Sequence, residues 1–263
     1  MKSKQIEKLL HGVVNSLCDS ITDENVKNII KTRTFITGGC IPCMLMGEWV
    51  NDYDFYFIDS HEASMVRSYF QAILNQDNNN KDQKYHISLI TDNAINLSDK
   101  VQLITKFVGT PEEVTKNFDW QHIKSYYDCS SSKLVLTPDV YRLICEKELV
   151  YTGSAYPLSS MLRLKKYLKK GWNVSTATMV HIALDISASL QLMGESRGQV
   201  FDDVDILSTQ YVPDYKTIQE AKNKFEDVIY HLNGVDPLTI QKELQEKCGK
   251  CLTVSEIVAI LYK

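Results

Sequence analysis

The sequence predicts an α+β fold: a small mixed sheet with helices in the first half of the chain, followed by an all-helical C-terminal body. Three observations carry the prediction. Between residues 34 and 107 the pattern is strand-like with helices interspersed, and Asp52-Tyr53-Asp54-Phe55-Tyr56-Phe57-Ile58 alternates acidic and aromatic residues with a period of two. From Thr110 onward the pattern is helical. The composition, 44% hydrophobic and 24% charged over 263 residues, suits a globular chain with a real core and excludes collagen-like, low-complexity and wholly disordered classes.

The elements follow in order. Ile6, Leu9, Leu10, Val13, Val14 and Leu17 alternate with Lys4 and Glu7 at helical spacing, so the first 20 residues read as a helix rather than a signal peptide. Thr34-Phe35-Ile36-Thr37 is a short strand running into Gly38-Gly39, and 52–58 is the next. A helix at 61–75 puts Val66, Tyr69, Phe70, Ile73 and Leu74 on one face. Residues 75–82 form a polar loop, and 86–91 and 101–107 are further strands. Thr110-Pro111-Glu112-Glu113 is an N-cap with proline at the first helical position and a glutamate to close a capping box; Thr137-Pro138-Asp139 starts a helix the same way. Helices are expected at 157–170, 175–194, 217–232, 236–247 and 253–262. The division falls at a head of residues 1–133 and a body of 134–263, beside the serines at 130–132.

No apolar run reaches the roughly 18 residues of a membrane span. Seven cysteines without a secretory signal read as free thiols, and the expected location is the cytoplasm, a host's if the chain is virus-encoded. Two Cys-x-x-Cys pairs, Cys40-Cys43 and Cys248-Cys251, lie too far apart in sequence to favour zinc over structural thiols. The formal charge of −4 excludes a globally basic coat for nucleic acid but leaves local patches open.

The informative segment runs from Gly38 to Asp54. A strand ending in two glycines lets backbone approach a phosphate, and the following helix can present its N-terminus to that anion. Asp52 and Asp54, two apart on a strand, point the same way. Carboxylates so placed repel unless a divalent cation lies between them.

Gly38, Gly39, Leu45, Gly47, Asp52 and Asp54 resemble, without a gap, the signature of the nucleotidyltransferase superfamily. The similarity is to the polymerase-β-like head of class II CCA-adding enzymes and bacterial poly(A) polymerases. Phe118-Asp119-Trp120 through Tyr127-Asp128 resembles a second block of that family, and Pro157-Leu158, Met161-Leu162-Arg163 and Gly171-Trp172 a third. Val101–Ile104, Pro111–Val114 and Tyr156–Ser160 also resemble nucleotidyltransferase-like proteins of tailed phages and large viruses. The resemblance implies Mg²⁺ (or Mn²⁺) held by Asp52 and Asp54, an NTP as donor and an RNA 3′ end as acceptor, with a protein side chain or small molecule as other acceptors.

This chain departs from the family pattern at Pro42 and Cys43, Asn117 and Phe118, Ile123, Gln102 (where the family has an acid), and Ala155-Tyr156 (in place of acids). Those departures motivate a second reading, an inactive head that binds nucleotide or RNA or serves in assembly. Asp119 is either a third catalytic acid or a helix brace. Arg163, Lys166 and Lys170 form a basic stripe on a helix whose core side would be Met161, Leu164 and Leu168; Arg163 and Lys166 are candidates to bind nucleotide, against a solvated face as the plain alternative. His122, near Asp119, is the histidine to watch, and Phe201–Asp205 reads as an acidic loop. The oligomeric state is open.

Overall fold

The computed structural model describes residues 2–76 and 84–197. They fall in two compact units, one comprising the chain to Phe118 with His122–Glu146, the other Asp119–Gln121 with the chain from Lys147. The polar loop from residue 77, the three helices beyond 216, the acidic segment at 201–205 and the Cys248-Cys251 pair lie outside the described residues.

The first unit is a mixed α+β structure. Its elements are α1 (Ser3–Asp19), α2 (Glu24–Thr32), β1 (Thr34–Thr37), α3 (Cys40–Met46), β2 (Tyr53–Phe57), α4 (Ser60–Asn75), β3 (Ile87–Ile90), β4 (Ala94–Leu97), β5 (Val101–Val108), α5 (Pro111–Lys116), β6 (Tyr126–Asp128), β7 (Lys133–Val135) and α6 (Pro138–Glu146). The seven strands form one sheet in the order β3-β4-β5-β2-β1-β6-β7. Strand β2 is central, antiparallel to β1 and parallel to β5.

Alternation along the strands sorts side chains to two faces. Ile36, Phe55, Phe57, Leu103 and Tyr127 join Leu10 and Leu17 of α1, Ile30 of α2, and Val66 and Phe70 of α4 in the core. The other face carries Phe35, Thr37, Asp54, Tyr56, Gln102 and Tyr126 as strand-to-strand neighbours. There Phe35 stacks on Tyr56 at 5.7 Å between ring centroids, and Phe118 meets Tyr56 at 5.9 Å. Burial of one face and a polar-aromatic row on the other explain the period-two pattern of β2.

The capping residues act as their chemistry dictates. Thr110 Oγ accepts from Glu113 N, and Glu113 Oε2 accepts from Thr110 N at 2.8 Å. Helix α2, which the sequence analysis did not mark, is capped by Asp23, whose carboxylate accepts from the amides of Asn25 and Val26. The serines at 130–132 turn between β6 and β7, where Asp128 accepts hydrogen bonds from the Ser130 and Ser131 hydroxyls. The expected division at 133 coincides with the start of β7. Helix α6 packs against α3 within the first unit.

In the second unit, β8 (Glu148–Leu149) pairs in parallel with β9 (Asn173–Val174), and α7 (Pro157–Lys169) and α8 (Thr176–Arg197) supply the helices. On α7 the inward face differs from the expected one. Pro157, Ser160 and Leu164 are buried, Met161 is half-buried, and Leu168 is 42% exposed. Tyr167 takes the inward place in the last turn, meeting Trp120 at 5.8 Å and Trp172 at 5.7 Å. No described helix is long and apolar enough to cross a membrane.

Candidate active site

Strand β1 ends at Thr37, opposite Asp54 of β2, and Gln102 of β5 stands opposite Asp54 on the other side. Thr37 is held by its hydroxyl, which donates to the Ser125 carbonyl at 2.7 Å. The chain then turns at Gly38 with φ +90°, in the left-handed region that favours glycine. A Cβ at Gly38 would lie 3.1 Å from Oδ2 of Asp54. Gly39 is different: it has φ −70° as the N-cap of α3, and a Cβ there would meet open space. The strand, glycine turn, short helix and second strand implied by the resemblance thus follow one another in order, the two strands paired in one sheet.

Asp52 is exposed just before β2, and Asp54 is half-buried two residues on. Burial, and secondarily the Asp52 charge, push the Asp54 carboxyl up to about 7. Asp54 in turn helps burial raise the thiol of Cys40, whose Sγ donates to the Thr37 carbonyl. Cys43 is a free thiol too, and among the described residues no group of three or more His, Cys, Asp or Glu is placed to hold a metal ion by itself.

This pair fits a hard divalent cation. Asp54 is a carboxyl whose charged form is disfavoured by its own surroundings, and a cation between it and Asp52 would remove that penalty. Two protein carboxylates, with remaining positions left to water and phosphate oxygens, are the usual provision for Mg²⁺.

The second unit assembles another group of residues, which includes two of those singled out from the sequence. Asp119 is 2% exposed, and its Oδ2 accepts from Ser160 Oγ at 2.8 Å and from Arg163 Nη1 at 2.6 Å. Thr152 N donates to the Asp119 carbonyl, and Gln121 N to that of Val150, so 119–121 is stitched beside 150–152. Nearby in the same unit, buried Asp185 accepts from the Tyr151 hydroxyl at 2.8 Å, a pair the sequence did not disclose. Arg163 therefore serves as the partner of a buried acid, whereas Lys166 is exposed. His122, in the first unit, is buried, which pulls its imidazole down to about 3 and keeps it neutral. Phe118, one of the departures from the resembled pattern, packs on Tyr56, and Ile123, another, accepts from the Thr37 hydroxyl through its carbonyl at 3.4 Å.

Comparison with known proteins gives two kinds of relative. Among solved structures, the chain is similar to a Bacillus stearothermophilus CCA-adding enzyme in complex with CTP, at 16% identity and TM-score 0.44, over 73% of this chain and 46% of that one. It is also similar to a CCA-adding enzyme in apo form I, at 11% identity and TM-score 0.47, over 95% and 68% of the two chains. Among curated proteins, it is 22% identical over 222 residues to "Gabija anti-defense 2" of Bacillus phage SPbetaL7, which covers 82% of this chain and 54% of that protein. The chain thus spans about half the length of that curated relative. The sequence model described as "Gad2: Gabija anti-defense 2 family protein" matches residues 8–147, a run that takes in the glycine turn, both aspartates and the whole seven-stranded sheet. Since that run is more than half of its length, the chain belongs to the Gabija anti-defense 2 family.

Proposed function

We propose that the chain is a divalent-metal-dependent nucleotidyltransferase, moving NMP from an NTP to a hydroxyl acceptor, an RNA 3′ end, with release of pyrophosphate. The observation that carries this reading is the Gly38–Asp54 approach: a glycine turn at the end of β1 lies against a carboxyl that burial and Asp52 push up to about 7. Asp52 and Asp54 would hold Mg²⁺ or Mn²⁺, which supplies activation of the hydroxyl and charge neutralisation on the triphosphate. Gly38 and Gly39 leave room for phosphate oxygens to reach main-chain amides. Lys166 is an exposed cation available for nucleotide or RNA backbone. The acceptor oxygen bonds to the α-phosphorus as the bond to the bridging oxygen breaks; pyrophosphate leaves, and the hydroxyl proton passes to solvent. We read the anti-defence role named for the phage relative as resting on such a transfer.

A second reading, a head that binds nucleotide or RNA without turnover, is favoured by Gln102, a neutral residue in register beside Asp54, and by the commitment of Asp119 to Arg163. One assay separates them. Each labelled NTP is mixed with the protein, Mg²⁺ or Mn²⁺ and a pool of short RNAs, beside an Asp52→Ala/Asp54→Ala control. Label on RNA with the unaltered protein alone supports the transferase, and label on the protein would redirect the acceptor. No transfer by a folded sample with any nucleotide selects the second reading.

A further inference from the structure

Three residues before Asp52, on the loop between α3 and β2, stands Trp49, 75% exposed. A tryptophan so open to water is an expense in hydration that most folds avoid, and here it is held in place rather than left loose. The Lys100 ammonium lies 3.8 Å from the centroid of its ring. The same ammonium donates to the Val50 carbonyl at 2.7 Å, while the Lys100 carbonyl accepts from Tyr53 N at 2.7 Å. Lys100 thus fastens the second half of the loop, from Val50 to Tyr53, and covers one face of the indole.

The residue that does this is in a costly conformation. Asp99 and Lys100 have φ of 55° and 68°, two consecutive non-glycine residues in the left-handed region at the turn from β4 to β5. Glycine or asparagine is the usual choice for such a turn. The Lys84–Asp99 ion pair at 3.2 Å braces it.

The location ties the pair to the candidate site. Tyr53 is in parallel register with Val101, so Lys100 and Asp52, each one residue earlier, stand side by side at the end of the sheet where β1 ends at Thr37 and runs into Gly38. An indole with one face on a cation and most of its surface open, next to a carboxylate pair, has the two features by which single-stranded nucleic acid is held without sequence readout: an aromatic platform for a base and a cation for the backbone.

We propose that Trp49 and Lys100 form a stacking subsite for an unpaired nucleobase beside Asp52, that of the acceptor strand. Trp49 is the positioning residue, and Lys100 both orients the ring and faces the strand's phosphate. The proposal rests on the nucleotidyltransferase reading for the identity of the strand, and its test is kept separate from turnover.

The readout is built into the chain. Of its three tryptophans, Trp120 is 0% and Trp172 3% exposed, so quenchable emission reports Trp49. The full chain is titrated, without divalent metal, with a short single-stranded RNA, its duplex and free ATP. Single-stranded RNA is expected to quench the emission and protect it from acrylamide, and duplex is not. Trp49→Ala should weaken RNA binding about tenfold to a hundredfold, Trp49→Phe by much less. Lys100→Gln should flatten the salt dependence of binding. Quenching by RNA assigns the acceptor strand, and quenching by ATP alone assigns the same subsite to the incoming base. Binding that is unchanged by Trp49→Ala, or equally strong for duplex, overturns the proposal. Loss of binding in Trp49→Ala from a protein that transfers nothing would sustain the subsite and sink the transferase. Transfer untouched by Trp49→Ala would do the reverse.

Discussion

Gly38 and Gly39 are neighbours under different constraints, and a methyl group at each separates folding from ligand approach. At Gly38, φ +90° and a Cβ 3.1 Å from Asp54 Oδ2 make alanine strained and displace the carboxylate. Gly38→Ala should cost about 1–2 kcal/mol in urea unfolding and abolish transfer. Gly39→Ala meets open space at an ordinary φ, so stability should hold within about 0.5 kcal/mol while nucleotide binding, measured by calorimetry, weakens. Equal losses of stability at both would remove the steric argument for Gly38.

Asp54 gives a pH dependence whose sign can be worked out. Burial, and secondarily the Asp52 charge, push its carboxyl from the ordinary 3.8 of the unfolded chain up to about 7 in the folded one, so between those values the native chain holds a proton that the unfolded chain has released. Stability without divalent metal therefore falls as pH rises through that window and is level above it. Asp54→Asn should relieve the penalty, gaining up to roughly 3 kcal/mol at about pH 8 in chelator and little at about pH 4. Added Mg²⁺ should raise the melting temperature of the unaltered protein at about pH 8 and leave Asp54→Asn unmoved. A variant no more stable than the parent at about pH 8 would show that the carboxyl ionises without strain.

At the scale of elements, α7 carries the test of its own cations. Arg163, its side chain 54% exposed, satisfies the buried carboxylate of Asp119, and Arg163→Ala should destabilise by about 1–3 kcal/mol by denaturant unfolding. Lys166→Ala should leave unfolding within about 0.5 kcal/mol and lower RNA affinity at low salt. Elements that announce themselves by local chemistry were legible: β2 by its alternation, α5 by Thr110 and Glu113, α6 by Thr137, the turn by its glycines. Strand β4 was not, because its turn into β5 uses Asp99 and Lys100 where a glycine signal would have marked it. Strands β8 and β9 have two residues each, too few for any period. Asp52 and Asp54 could be read together because two positions on one strand share a face. Asp119 with Arg163, and Trp49 with Lys100, could not, since helix docking sets the first pair and the β2–β5 register the second.

At the scale of the whole molecule, the chain does not pass from one unit to the other in a single step. Residues 119–121 belong with 147–197 through main-chain bonds to 150–152 and through Trp120, whose ring meets Tyr151 at 5.5 Å. The family match ending at residue 147 therefore includes three residues whose partners lie beyond it. A fragment stopped at 146 would leave the fully buried Trp120 without those rings, and its emission should shift to the red relative to the whole chain. The interleaving means that a backbone cut between Glu146 and Lys147 would not by itself free the two pieces, since Thr152 N still donates to the Asp119 carbonyl and Gln121 N to that of Val150, and a protein nicked there should still elute from a sizing column as one species.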